Sequence, residues 1–167
     1  RSLRSEAELL RHCPDHKRPP KILQEENYFF RLSKYEDKIL ELLNQNLHWL
    51  QPSARRKEIL NFVESGLEDI SISRETAEFG IPLAMDENHK VYVWFDALIN
   101  YYSALAGTKQ KDFWSSSVHI IGKDITRFHA VIWPAMLMAA EIEVPKGIYA
   151  HGFFTCLLYT SDAADEL

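Results

Sequence analysis

The residues of this chain that could do chemistry gather between 94 and 154. Ile125, His129 and Trp133 fall four apart, so on a helix they share one face and could build an apolar, aromatic pocket with one imidazole in its wall. Gly122 and Asp124 combine a backbone that allows close approach with a carboxylate able to accept two hydroxyls. Trp94 and His151 sit at or near the expected ends of two further strands. Each residue also has an ordinary reading, since Ile125 and Trp133 suit a core and a lone histidine is commonly a satisfied structural residue. Convergence from several strand ends is what favours a site.

Other signals are weaker. The chain has no G-x-G-x-x-G and no P-loop, which leaves a Rossmann dinucleotide fingerprint and a Walker-type ATPase without support. Cys13-Pro14-Asp15-His16 has the spacing of half a zinc knuckle, but tetrahedral zinc takes four ligands and nearby His12 supplies no second pair. No metal site is therefore assigned to Cys13 and His16. Asp96 reads as a helix cap, Arg74 as a solvated charge, and Trp49 with Tyr28, Phe29 and Phe30 as core.

The elements that must position these residues differ between the two halves. Ser33-Lys34-Tyr35-Glu36 has the capping-box pattern, and Ile39, Leu40, Leu43 and Leu47 follow at helical spacing, predicting a helix over 34–49. Pro52-Ser53 opens a second helix with Ala54, Ile59, Leu60 and Val63, closed at Gly66. Further on, residues 91–95 form an apolar run followed by Asp96 and a helix over 97–106 to Gly107. Residues 118–121 repeat the pattern, with a turn at 122–124 and a helix over 125–140 bent at Pro134, and 147–154 supply a third strand. Strands alternating with helices predict an α/β fold with a parallel sheet buried on both faces. Ligands of such sheets sit beyond the carboxyl ends of the strands.

The chain has 167 residues, 46% hydrophobic and 26% charged, which is the composition of an ordinary globular domain. The longest apolar run, 130–140, contains Pro134 and falls short of the ~20 residues of a membrane span, and no signal-peptide pattern opens the chain. Two cysteines exclude a disulfide scaffold. Residues 156–167 break the preceding pattern, and 156–166 resemble the translation of a sequencing-library adapter, so they are expected to be a non-native tail. Without Asp162, Asp165 and Glu166 the net charge moves from −5 to −2 and says nothing about partners. The chain opens on Arg1, and both ends are expected to be cuts in a longer product.

Three stretches then resemble methionyl-tRNA synthetase: EENYFFRLSKYEDKIL (25–40), VYVWFDALINYYSAL (91–105), and HIIGKDITRFHAVIWPAM (119–136) with HGFFT (151–155). The likeness runs in the family's order over 13–155. It implies a class I synthetase whose Rossmann-like catalytic sheet is represented by its second half. Residues 1–72 would be the C-terminal part of the connective insertion with a helical linker. Residues 73–155 would be the second half of the nucleotide-binding domain, and Cys13 with His16 the remnant of the insertion's knuckle, zinc not being expected here.

The resemblance also implies roles. Trp94, Ala97 and Tyr101 match one wall of the methionine side-chain pocket, and Ile125, His129 and Trp133 the other, with Leu98 where some relatives carry proline. Gly122 and Asp124 match positions holding the adenosine ribose of ATP. His151 and Phe154 match the strand end beside the adenine, and Arg74 an arginine meeting the carboxylate or phosphate end of the reactants. Aromatic rings and a thioether make polarizable contacts worth roughly 0.3 to 1.5 kcal/mol each. The implied reaction joins methionine to ATP as methionyl-adenylate, with Mg2+ on the phosphates, and then loads tRNA(Met). The family's HIGH and KMSKS motifs have no counterpart in the chain, so no catalytic residue beyond Arg74 is assigned and the chain alone is expected to be inactive. The location implied is cytoplasm or mitochondrial matrix, without membrane contact or secretion. Two other readings stay open at this stage: another class I synthetase, and a non-catalytic α/β interaction domain.

Overall fold

The structure, a computed structural model, describes residues 25–75 and 77–154. The expectations for Cys13, His16 and the 156–167 tail lie outside the described residues. In chain order the first half contains β1 (Phe29–Phe30), α1 (Glu36–Gln45), β2 (Leu50–Gln51), α2 (Ser53–Glu64), β3 (Ile70–Ser71) and β4 (Ser73–Arg74). The second contains β5 (Pro82–Leu83), β6 (Asp86–Val91), α3 (Val93–Ser103), β7 (Val118–Gly122), α4 (Trp133–Ala139) and β8 (Gly147–His151).

The α/β class and the parallel sheet are as expected, but the sheet's membership is not. Its order is β2-β8-β7, all parallel, so the third strand comes from 50–51 and not from 91–95. The expected strand over 91–95 is a junction instead. The preceding polar stretch, DENHKV, is the strand β6, paired antiparallel with β4 and β5, and the chain turns into α3 at Tyr92. An unbroken apolar run reads as a buried strand, but here Val93 and Trp94 open the helix exposed, and Leu98 is its buried residue. Asp96 is accordingly not the cap. Tyr92 holds that position, and Asp96 lies in the first turn, where the helix dipole favours a carboxylate. The third parallel strand is also shorter than 147–154, ending at His151.

The larger of two hydrophobic clusters serves both halves, the smaller lying around Leu98, Trp114 and Trp133. Ile39 and Leu43 from α1, Ile59 and Val63 from α2, and Trp49 and Leu50 pack with Ile121, Ala130, Val131, Ile148 and Ala150. A boundary at 72 therefore does not separate two cores. Fully burying an aliphatic side chain is worth about 1.5 to 3 kcal/mol, so the inward faces of α1 and α2 carry much of the stability of the sheet they cover. Trp49 clamps the junction: its Nε1–H donates to the Pro145 carbonyl at 2.8 Å, and its own carbonyl accepts from the Ile148 N–H at 2.6 Å.

Local departures have physical causes. The helix expected over 34–49 ends at Gln45 and begins with a 3-10 turn at Leu32–Tyr35. Ser33 and Glu36 do not cap each other. The Ser33 hydroxyl donates to Asp69 Oδ1 at 2.6 Å, and Glu36 Oε2 accepts from the Leu67 N–H at 2.9 Å. The two side chains thus tie the 67–69 loop to the helix start, a tertiary use of a local pattern. The second helix closes as expected at Gly66, whose φ of +96° suits glycine. The helix expected to bend at Pro134 instead widens into a π-helical turn at Phe128–Ile132 just before it. Pro134 has no N–H to offer the carbonyl four residues back, and the ladder slips there.

The parallel sheet is covered on one face only among the described residues. His119, Ile121, Ile148 and Ala150 face the core side, whereas Val118, Ile120 and Tyr149 on the other face are 57%, 74% and 50% exposed. The expectation of burial on both faces is not met.

Candidate functional site

The rings gather where α3 meets the π-helical turn and the start of α4. Trp94, Ala97 and Tyr101 recur at three- and four-residue intervals along one side of α3. Trp94 lies in the first helical turn, half-exposed, with its ring 5.5 Å from that of Phe128. Ala97 is exposed on the same helix. Tyr101 reaches the residues of the facing turn, its ring 5.5 Å from His129 and 5.2 Å from Trp133. Trp133 is fully buried, and Leu98 is buried behind α3 against Trp114, Met136 and Leu137.

His129 has a defined proton arrangement. Its Nδ1 lies 3.1 Å from the Ile125 carbonyl, which can only accept, so Nδ1 carries the proton. Nε2 is then the lone-pair nitrogen of the neutral ring and accepts from the Tyr101 hydroxyl at 3.0 Å. Burial pushes the His129 imidazole below its ordinary pKa, an effect only partly opposed by the Ile125 carbonyl, and so keeps the ring neutral. Ile125 thereby contributes its backbone as well as its side chain, which packs on the main core.

A second group lies at the carboxyl ends of the parallel strands. Gly122 and His151 stand opposite each other in the β7–β8 ladder. Asp124 follows in the 3-10 turn Lys123–Ile125, exposed and folded back over Gly122. A Cβ at Gly122 would lie 2.7 Å from Asp124 Oδ1, so a side chain there would displace the carboxylate. His151 packs on Phe154 at 4.7 Å, and Lys123 Nζ lies 3.7 Å above the ring of Phe153. Phe154 itself is 79% exposed. Both groups thus draw on the Gly122-to-Trp133 segment, which leaves the sheet beside His151 at one end and meets Tyr101 of α3 at the other.

Arg74 is the last residue of β4. Its guanidinium stacks 4.0 Å over Tyr92 and donates to the Ser71 hydroxyl at 2.7 Å and the Ser73 carbonyl at 2.6 Å. It shares with Trp94, Phe95, Phe128 and Ile132 a cavity of about 320 Å3, at the small end of the range for ligand pockets. Arg74 is therefore a held cation beside an aromatic recess, not the solvated charge its sequence context suggested.

The sequence pattern did not single out His119. Its ring lies 4.6 Å from Trp133, 4.9 Å from Tyr101 and 6.3 Å from Trp114. The signal was present in the alternation of β7, which puts His119 on the core face with Ile121.

The family model described as tRNA synthetases class I (M) matches residues 7–157, so the chain belongs to this class I synthetase family. Its relatives are more particular. A methionine-tRNA ligase of Synechocystis sp. is 50% identical over 153 residues, covering 86% of this chain and 29% of that protein. One of Thermotoga maritima is 48% identical over 149 residues, covering 87% and 24%. Among solved structures, methionyl-tRNA synthetase of Mycobacterium tuberculosis bound by methionyl-adenylate superposes with a TM-score of 0.78 at 40% identity, over 92% of this chain and 31% of that one. The free form of that enzyme gives 0.75 at 42% identity, over 85% and 30%. The chain thus spans less than a third of the length of these relatives.

Proposed function

We propose that the chain is the part of a methionine-tRNA ligase that supplies the two side-chain walls of the methionine pocket and the strand ends that hold ATP. The carrying observation is the Tyr101–His129–Trp133 cluster, with Trp94 on the same helix as Tyr101, together with the paired Gly122 and His151 strand ends and the Asp124 turn that follows. On this reading Trp94, Ala97, Tyr101, Ile125, His129 and Trp133 line the methionine side chain. A neutral imidazole suits this role, because a charged one would need hydration in a pocket built for a thioether. Packing alone rejects a side chain one methylene smaller by about 1 to 3 kcal/mol, so discrimination rests on the rings being held in place.

Asp124 accepts the ribose hydroxyls while Gly122 leaves room for them, and His151 and Phe154 flank the adenine. Arg74, fixed by Ser71 and Ser73, directs its charge toward the carboxylate or phosphate end of the reactants. The carboxylate oxygen of methionine attacks the α-phosphorus, the α–β bridging bond breaks, and pyrophosphate leaves; the terminal ribose hydroxyl of tRNA(Met) then gives up its proton and attacks the carbonyl carbon, the mixed-anhydride bond breaks, and AMP leaves. Stabilisation of that transfer is mainly electrostatic. Mg2+ would come with the phosphates of ATP and neutralise their charge. No helix among the described residues is long and apolar enough to cross a membrane. Cytoplasm or an organelle matrix is the location this reading carries. Residues 1–72 remain assigned to the end of the connective insertion and its linker, and 73–155 to the second half of the catalytic domain.

The test is methionine-dependent ATP–pyrophosphate exchange by a chimera in which residues 25–154 replace the matched segment of the Synechocystis relative. Exchange with methionine and not with leucine or valine is the expected result. A folded chimera that exchanges with none of the three would favour a non-catalytic interaction domain, and one that prefers leucine or valine would favour another class I synthetase.

A further inference from the structure

His119 occupies a position where an apolar residue would serve the fold better. It lies on the core face of β7, and its ring is in edge contact with both Tyr101 and Trp133. Its Nε2 is buried and has no hydrogen-bond partner, and the same holds for Nε1 of Trp133. These are the two unpartnered buried side-chain nitrogens among the described residues, and their rings touch. A buried polar atom left without a partner costs stability, and replacing it by an apolar group of similar shape recovers that cost. Burial and the nearby His129 push the His119 imidazole below its ordinary pKa, so the ring is neutral and brings no ion pair in return. The imidazole thus lowers stability at the back of the ring cluster, a pattern expected where a residue is kept for a site and not for the fold.

We propose that His119 is a positioning residue that sets amino-acid specificity by fixing the rings of Tyr101 and Trp133 from behind through edge contacts, its unpartnered Nε2 being the polar atom that an apolar ring would lack. The inference rests on the methionine-pocket reading above. His119 touches the two rings from the sheet side, whereas Trp94 and Phe128 lie toward the start of α3. It is also nearer the amino-acid cluster than the strand-end group at Gly122 and His151, so its loss should act on one substrate only.

The experiment uses the chimera described above with His119→Phe, which keeps a ring and removes the nitrogens, and His119→Gln, which keeps a polar atom near Nε2. His119→Phe is expected to raise the KM for methionine about tenfold, to leave the KM for ATP within about twofold, and to keep or raise Tm. His119→Gln is expected to recover part of the methionine KM at a lower Tm. An unchanged methionine KM in folded His119→Phe overturns the proposal, as does a parallel rise in both KM values with a fall in Tm. Tyr101→Ala separates this from the underlying reading. If it raises the methionine KM and His119→Phe does not, only the role of His119 falls. If neither moves it, the pocket assignment fails and takes this proposal with it.

Discussion

Replacing Tyr101 by phenylalanine isolates one hydrogen bond. The Tyr101 hydroxyl donates at 3.0 Å to Nε2 of His129, whose ring is 4% exposed and whose Nδ1–H is committed to the Ile125 carbonyl. The ring stays in Tyr101→Phe, so contact with Trp133 and His119 persists and only the donor is lost. A buried acceptor left unpaired costs about 1 to 3 kcal/mol, and because Tyr101 is 39% exposed, water can reach part of the gap and the lower end applies. The expected loss of unfolding free energy is about 1 kcal/mol. The variant should also titrate differently. The hydroxyl hydrogen-bonds the neutral imidazole, so its removal should raise the His129 pKa, while burial keeps it below its ordinary value. Chemical denaturation with a parallel NMR titration of the His129 Cε1–H reads both effects. Unchanged stability together with an unchanged or lower His129 pKa would refute the proton arrangement deduced for this pair.

Three further outcomes follow from the same geometry. Both ring nitrogens of His89 face acceptors, Asp86 Oδ2 at 2.8 Å and the Glu26 carbonyl at 2.9 Å, so the folded state holds the imidazolium, with Tyr28 and Glu75 nearby. The hydrogen bond to the Glu26 carbonyl, then Asp86, raises its pKa above 6.5; the stabilisation is complete below 6.5 and is lost as pH rises through the folded value, an effect absent from His89→Gln in pH-dependent unfolding. Leu43→Ala, at a site with no exposure, should lower unfolding free energy by about 2 to 5 kcal/mol in denaturant melts. Gly122→Ala should displace the Asp124 carboxylate and, in the chimera, raise the KM for ATP several-fold more than that for methionine.

What the sequence made legible was set by how local its causes are. The helix closed by Gly66 was readable because apolar spacing and a left-handed glycine act within a few residues. The strand β2 was not, since two residues held between β8 and the start of α2 carry no periodicity of their own. Ser33 and Glu36 misled because a local capping pattern was used for contacts with 67–69, and DENHKV hid a strand because its antiparallel partners leave much of it exposed. In the candidate site, the four-residue spacing of Ile125, His129 and Trp133 was visible. That this spacing passes through a π-helical turn, and that Tyr101 meets it from another helix, required coordinates. His119 escaped notice because a histidine in an apolar strand has no meaning until the rings around it are known.

On the proposed function this chain holds methionine and ATP with different residues, Trp94 in the one set and Asp124 in the other. The most direct test is the steady-state KM for each substrate in the chimera carrying Trp94→Ala or Asp124→Ala. On this reading Trp94→Ala raises the methionine KM up to about tenfold with little change for ATP, the upper end of one ring–thioether contact, and Asp124→Ala raises the ATP KM at least about tenfold with little change for methionine, since a lost hydrogen bond to a charged group costs on the order of 1.5 to 3 kcal/mol. An enzyme in which Trp94→Ala leaves the methionine KM unchanged, or Asp124→Ala leaves the ATP KM unchanged, would contradict it.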